Sequence, residues 1–333
     1  MTAATPRPGD VLLGAQAGAV VLPVCDHYSG VEARMKKSLA LQADMAAEFG
    51  ACVFDVTLDC EDGAPVGGEA DHAALVAELA LGAAPGMRVG ARVHPVDHAA
   101  FAGDVMAIAG RAAHRLSHLM VPKVESLADV LQAVQALDAV DAQALPLHVL
   151  IESPLAVHHA FEIAAHPRVQ SLSFGLMDFV SAHAGAIPAD GMGALGQFTH
   201  PLVVRAKLAI ASAAHAHGKV PSHCVVTEFN DLDAVRVAAK KAASQFGYTR
   251  MWSIHPHQIR PILDAFAPDE GQIQIATKII AAGVRAEWAP VNFDGTLHDR
   301  ASYRHFWLVL VRAHATGRAL PSDAQSWFAG SAR

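Results

Sequence analysis

A closed α/β barrel of the TIM (β/α)8 type with a C-terminal helical extension is what three observations in this 333-residue sequence predict. Short β-rich runs alternate with Ala-rich amphipathic stretches, the pattern of parallel strands joined by helical crossovers. Eight such runs can be counted, the number that closes a barrel. Run after run ends in a functional side chain, and barrel enzymes collect their chemistry from the C-terminal ends of many strands. An open doubly wound sheet would ordinarily carry a Gly-rich phosphate turn after its first strand, and "LPVCDHYSG" supplies none.

In chain order the expected strands are 19–24 (AVVLPV), 52–59 (CVFDVTLD), 88–95 (RVGARVHP), 118–124 (HLMVPKV), 147–153 (LHVLIES), 169–178 (VQSLSFGLMD), 219–226 (KVPSHCVV) and 250–256 (RMWSIHP). Each is nearly continuous in apolar residues over a few positions, as strands buried on both faces require. Helical patterns such as "LADVLQAVQALDAV" and "HPLVVRAKLAIASAAHAHG" lie between them, the latter stopped by Gly218. The Gly- and Ala-rich stretch "SAHAGAIPADGMGALGQF" has the length of a lid or an interface loop. Residues 1–266 are read as the barrel domain, and 267–333 as helices packing on the barrel or a neighbouring subunit.

Composition narrows the function. The net charge is −7 and no Lys/Arg block occurs, which argues against nucleic acid or an anionic membrane as partner. Four scattered cysteines without CxxC spacing read as reduced thiols of a cytoplasmic protein. Residues 11–25 are uncharged and faintly imitate a signal peptide, but Asp10 interrupts the basic side and the run is too short to span a bilayer.

Glu152 and Asp178 fall near the ends of strands five and six, neighbours in a barrel. Two converging carboxylates make a hard, oxygen-only site that suits Mg²⁺ or Mn²⁺, whereas zinc would draw on His or Cys. Taken singly, each acid reads first as a polar strand terminus; together with the other strand-end residues, the metal reading is the better one. Arg92 ends strand three with a planar fork able to hold a carboxylate bidentately. Lys123 could be an electrostatic clamp or, if desolvated, a Schiff-base nucleophile. Both bases could instead serve only to neutralise Asp59, Glu61 and Asp62 of "FDVTLDCEDGAP". Among 20 histidines, His94 and His255 stand out at strand ends, as substrate-binding or hydrogen-bonding structural residues.

The blocks "FDVTLDCEDGAP", "RVHP", "VPKVES", "LIESPLAV", "SFGLMDF" and "SIHPHQI" occur in the order of the citrate lyase β-subunit-like branch of the HpcH/HpaI aldolase superfamily. The resemblance spans about residues 18–310. It implies a TIM barrel that uses Mg²⁺ to cleave or form a carbon–carbon bond beside a carbonyl. The substrates it implies are citryl-, malyl-, methylmalyl- or citramalyl-thioesters, or free 4-hydroxy-2-keto acids. It makes Glu152 and Asp178 the metal ligands, and Arg92 the residue for the carboxylate end of the substrate. Asp59, Glu61 and Asp62 become the acids beside the metal-bound water, with Lys123 at the base of the pocket. A homotrimer or hexamer is implied as well.

The chain departs from the family pattern at Ala17, where an Arg is usual, and at "GGEADHAAL", which replaces a basic segment. It departs again at His94 and at Ser222 and His223. These substitutions keep two alternatives open: an aldolase acting on a free 2-keto acid, and a degraded assembly or regulatory subunit.

Overall fold

A computed structural model describes residues 7–14 and 21–328. Two compact units emerge, one spanning Pro23–Phe266 and one joining the residues up to Leu22 with those from Ala267 onward. Helix α1 (Pro8–Leu13) belongs to the second unit.

The first unit alternates β1 (Cys25–Ser29), α2 (Glu32–Phe49), β2 (Phe54–Asp59), α3 (Glu69–Gly82), β3 (Val89–Arg92), α4 (Phe101–Ala112), β4 (Leu116–Val121) and α5 (Leu127–Asp138). It continues with β5 (Leu147–Ile151), α6 (Pro154–Ala165), β6 (Val169–Phe174), α7 (Leu176–Ser181), α8 (Pro201–Ala216), β7 (Val220–His223), α9 (Leu232–Gln245), β8 (Arg250–Ser253) and α10 (Pro256–Phe266). The eight strands are parallel and pair in chain order, and β8 closes on β1 with Cys25 opposite Met251. The expected barrel is the observed one. Helix starts follow local chemistry: Ser126 and Asp129 form a capping box on α5, Ser153 caps α6 ahead of Pro154, and Asp231 caps α9.

The first strand is a correction. It was expected at 19–24 and lies at Cys25–Ser29 (residues 19 and 20 fall outside the described ones). "CDHYS" makes no apolar run, and its Asp26 is buried inside the barrel, where Arg250 faces it. Strand β6 also ends earlier than expected, at Phe174, so Asp178 sits in the first turn of α7.

Inward-pointing side chains stack in layers, as alternation along tilted strands demands. Asp26, Asp55, His118, His148 and Arg250 form a charged floor near the strand starts, all buried. Above them Tyr28, Met120, Leu150 and Trp252 pack as one apolar cluster. Asp59, Arg92 and Glu152 occupy the mouth at the strand ends. Outside the strands, a continuous apolar shell that includes Val56, Val149, Ile163 and Ile210 joins strands to helices.

The second unit adds α11 (Glu270–Arg285), the hairpin β9 (Val291–Phe293) and β10 (Thr296–His298), α12 (Arg300–Ala315) and α13 (Ser322–Phe328). The hairpin turns at Asp294 and Gly295, both with positive φ, which is why Asp-Gly stands there. Its core gathers Leu12, Ile280, Tyr303, Trp307 and Leu310.

Candidate active site

Strand β2 delivers Asp59 to the mouth, where the following turn folds back onto it. The carboxylate accepts the backbone N–H groups of Glu61 and Gly63, each at 2.9 Å. A Cβ at Gly63 would stand 2.3 Å from Asp59 Oδ2, so only glycine permits this closure. Arg92, from β3, grips the same carboxylate through Nε at 2.6 Å and through Nη2. Its Nη1 lies 3.0 Å from Glu61 Oε2. Lys123 Nζ donates to Glu61 Oε1 and stands 3.7 Å from Asp62 Oδ1.

Opposite this array, Glu152 follows β5 and is buried. Its Oε1 accepts the backbone N–H of Lys123 at 2.6 Å, a contact made with Lys123 in the left-handed region, φ 51°. A Cβ at Gly175 would sit 2.4 Å from Glu152 Oε2. Glycine at that position therefore makes the seat for the second oxygen. Asp178, half-buried on α7, completes a pair of carboxylates.

The electrostatics divide these acids. Burial and the neighbouring Asp178 charge push the Glu152 carboxyl up to about 8. Burial also opposes the charge on Glu61, but Arg92 and Lys123 prevail and hold that carboxyl below its ordinary value. Asp62 is raised, by partial burial and then by the charge on Glu61. Lys123 is raised in spite of burial, because Glu61 and Asp62 stabilise its ammonium. A protonated Lys123 is not a Schiff-base nucleophile, so that option recedes. A buried and a half-buried carboxylate that disfavour each other's charge, one with an oxygen facing a glycine-made space, fit a hard divalent cation as the missing counter-charge.

Asp59, Glu61, Asp62, Arg92, Lys123, Glu152 and Asp178 are thus brought together. His94 and His255 are not. His94 Nδ1 lies 2.6 Å from Asp104 Oδ2 and its ring stacks on His98 at 4.3 Å. His255 stacks on Phe229 at 5.4 Å and meets His257. Of the departures from the family pattern, Ser222 is buried with an unpartnered Oγ, and His223 Nε2 meets Lys207 Nζ at 2.7 Å. Ala17 lies outside the described residues.

Two aromatic residues beneath the mouth had no signal in the sequence. Tyr28 stacks on Trp252 with ring centroids 4.4 Å apart, and the Arg92 guanidinium lies 5.6 Å from the Tyr28 centroid. Tyr28 was hidden by the misplaced first strand. Trp252 read only as an apolar strand residue.

Comparison with known proteins bears on the fold and the family. A citrate lyase from Burkholderia xenovorans LB400, solved as a crystal structure, is 48% identical and superposes with a TM-score of 0.81 over 98% of this chain and 100% of its own. An L-malyl-CoA/β-methylmalyl-CoA lyase of Cereibacter sphaeroides is 29% identical over 279 residues, 78% of this chain and 86% of that one. The protein CitE of Mycobacterium tuberculosis, solved with magnesium, acetoacetate and coenzyme A, shares the fold at TM-score 0.65. It is 23% identical, over 88% of this chain and 98% of its own. The family model described as HpcH/HpaI aldolase/citrate lyase matches residues 38–256, from α2 to the start of α10, and the chain belongs to that family.

Proposed function

We propose that this protein is a Mg²⁺-dependent carbon–carbon lyase that cleaves or forms a malyl- or citramalyl-type CoA thioester. The observation that carries the reading is the pair of buried Glu152 and half-buried Asp178, set opposite the Arg92–Glu61–Lys123 network at one barrel mouth. The names of the relatives supply the substrate class: a malyl-CoA lyase, and a CitE solved with magnesium and coenzyme A.

Glu152 and Asp178 would hold the cation, which supplies polarisation of the keto-acid carbonyl when bound. Arg92 has five N–H groups, of which two are given to Asp59 and one faces Glu61. The remaining two are free to bind a substrate carboxylate, while Asp59 fixes the plane of the fork. Lys123 holds Glu61 ionised beside Arg92. Asp62, like Glu152, is an acid whose environment favours a proton, and because it is not one of the two acids assigned to the cation it is the group we assign to take the substrate hydroxyl proton during cleavage. That proton transfer breaks the carbon–carbon bond into a keto acid and an acyl-CoA enolate, which is then protonated at carbon.

Among the described residues no helix is long and apolar enough to cross a membrane. We place the enzyme in the cytoplasm as a homotrimer or hexamer. The exposed Leu155 and Phe161 of α6 and Leu202 and Leu208 of α8, on two helices packed together, support self-association.

The test is a panel of malyl-, citramalyl- and citryl-CoA with Mg²⁺, scored for glyoxylate, pyruvate and oxaloacetate. Release of a keto acid from one thioester is expected. No release from any of them would sink the reading, and turnover confined to free 4-hydroxy-2-keto acids would replace its substrate class.

A further inference from the structure

Beneath the mouth, Tyr28 on β1 and Trp252 on β8 form a stack to which the proposed reaction gives no part. We propose that Tyr28 is a specificity-determining residue of this site: its ring supports the Arg92 fork, and its hydroxyl donates to the substrate carboxylate that Arg92 takes. The inference rests on the lyase reading for the role of Arg92 and adds the group that meets the same carboxylate from below.

The support is visible in the packing. The Tyr28 and Trp252 rings lie 4.4 Å apart at an interplanar angle of 22°, and Arg92 Cζ stands over the Tyr28 ring, 5.6 Å from its centroid. The quadrupole of an aromatic face attracts a guanidinium, most strongly where water is excluded. Asp59 and Glu61 hold the edges of the fork, and Tyr28 backs its face. A phenylalanine would supply the same stack, so the ring alone gives no reason for a tyrosine here.

The hydroxyl supplies that reason. A buried tyrosine or tryptophan usually bonds its polar atom to a partner. Tyr28 is 6% exposed and Trp252 7%, yet Tyr28 Oη and Trp252 Nε1 both lack a hydrogen-bond partner. Such groups are costly to leave unbonded, and each calls for an explanation. The other members of their layer, Met120 and Leu150, are apolar and offer none.

The chemistry of the missing partner follows from the donors. An indole N–H can only donate. The phenol keeps its proton, because burial, and after it the Asp26 charge, push its ionisation well above the ordinary value. The two donors stand on neighbouring strands beside a guanidinium with two N–H groups to spare. Together they suit a group that only accepts, which a carboxylate is. Water brings two O–H groups for which Met120 and Leu150 supply no acceptor. Met120 is unbranched and flexible, so the layer can yield room for an oxygen entering from the mouth.

The experiment is calorimetric titration of the full chain with glyoxylate, pyruvate and oxaloacetate in the presence of Mg²⁺, which reads the contact without turnover. Pyruvamide, with an amide in place of the carboxylate, is the control. Tyr28→Phe keeps the stack and loses the hydroxyl. It should weaken the tightest of the three keto acids by about 10–100-fold and pyruvamide by less. Its ligand-free Tm should equal or exceed the parent's, since an unbonded buried hydroxyl is gone. Tyr28→Leu removes the support as well and should weaken the keto acid further. Keto-acid affinity unmoved by Tyr28→Phe, keto acid and pyruvamide weakened alike, or a parent that binds none of the three acids would overturn the assignment. The first two results leave the lyase reading standing, because release of a keto acid from the thioester panel by the parent protein decides that reading separately.

Discussion

The mouth and the floor of this barrel are both rich in charge, yet they are built on opposite terms. On the floor, Asp26 and Asp55 face Arg88 and Arg250, so each carboxylate has a guanidinium within 2.8 Å. At the mouth, Arg92 and Lys123 are committed to Asp59, Glu61 and Asp62, and among the described residues no guanidinium or ammonium is in ion-pair contact with Glu152 or Asp178. Buried charges persist where they are paired. The like-charged pair at the mouth is therefore where the proposed cation and substrate would complete the structure, while the floor is close to complete without them.

The largest effect should come from breaking that pair. Glu152→Gln is expected to lower thioester cleavage by about 10³-fold or more, because the polarising ion loses a ligand. Steady-state kinetics at saturating Mg²⁺ would show it. The metal-free variant should be at least as stable as the parent, since one of two repelling charges is gone.

The matching change on the floor should do the reverse. Arg250→Met strands Asp26, leaves Asp55 with Arg88 alone, and is expected to cost about 3–5 kcal/mol in urea unfolding. The kcat/KM of the fraction that stays folded should be unaltered. A loss of turnover in folded Arg250→Met protein would erase the distinction between the layers.

Arg92→Lys keeps the charge but not the fork that spans Asp59 and Glu61. It should reduce kcat/KM by about 10²-fold through misplaced substrate. Folded content, read by circular dichroism, should be retained.

The smallest effect concerns neither layer but the strand–helix shell. Burial lowers the imidazole of His27 from 6.5 to about 4, so the unfolded chain binds more protons between those values. Stability from this group is complete above about 6.5 and is lost as the pH falls toward 4. Between pH 7 and pH 5 the wild type should lose about 2 kcal/mol relative to His27→Gln. Equal pH dependence of the two proteins would remove His27 from the account.

Much of the mouth was legible in the sequence for a local reason. Asp59 and Arg92 close strands whose apolar runs are plain, and Glu152 directly follows one, so counting strands places them at one end. Asp178 was right in neighbourhood but wrong in element, because Gly175 ends β6 early and lets a short helix carry the acid. His94 and His255 share the strand-end signature and went elsewhere. Asp104 and Phe229 compete for their rings, and no pattern along the chain announces such partners. Strand β1 was missed because "CDHYS" makes no apolar run, and its Asp26 is accounted for only once Arg250, 224 positions away, is known to face it.

Periodicity and strand-end chemistry, both properties of short segments, determined the barrel and the acidic, metal-suited character of its mouth. Tertiary structure alone decided which charges cancel. It gave Arg92 to Asp59, left Glu152 and Asp178 to repel each other, and stacked a charged floor beneath an apolar layer. The physical reason is that a Coulomb interaction depends on distance and burial in space. Residues from β1, β4, β5 and β8 acquire those values only when the barrel closes.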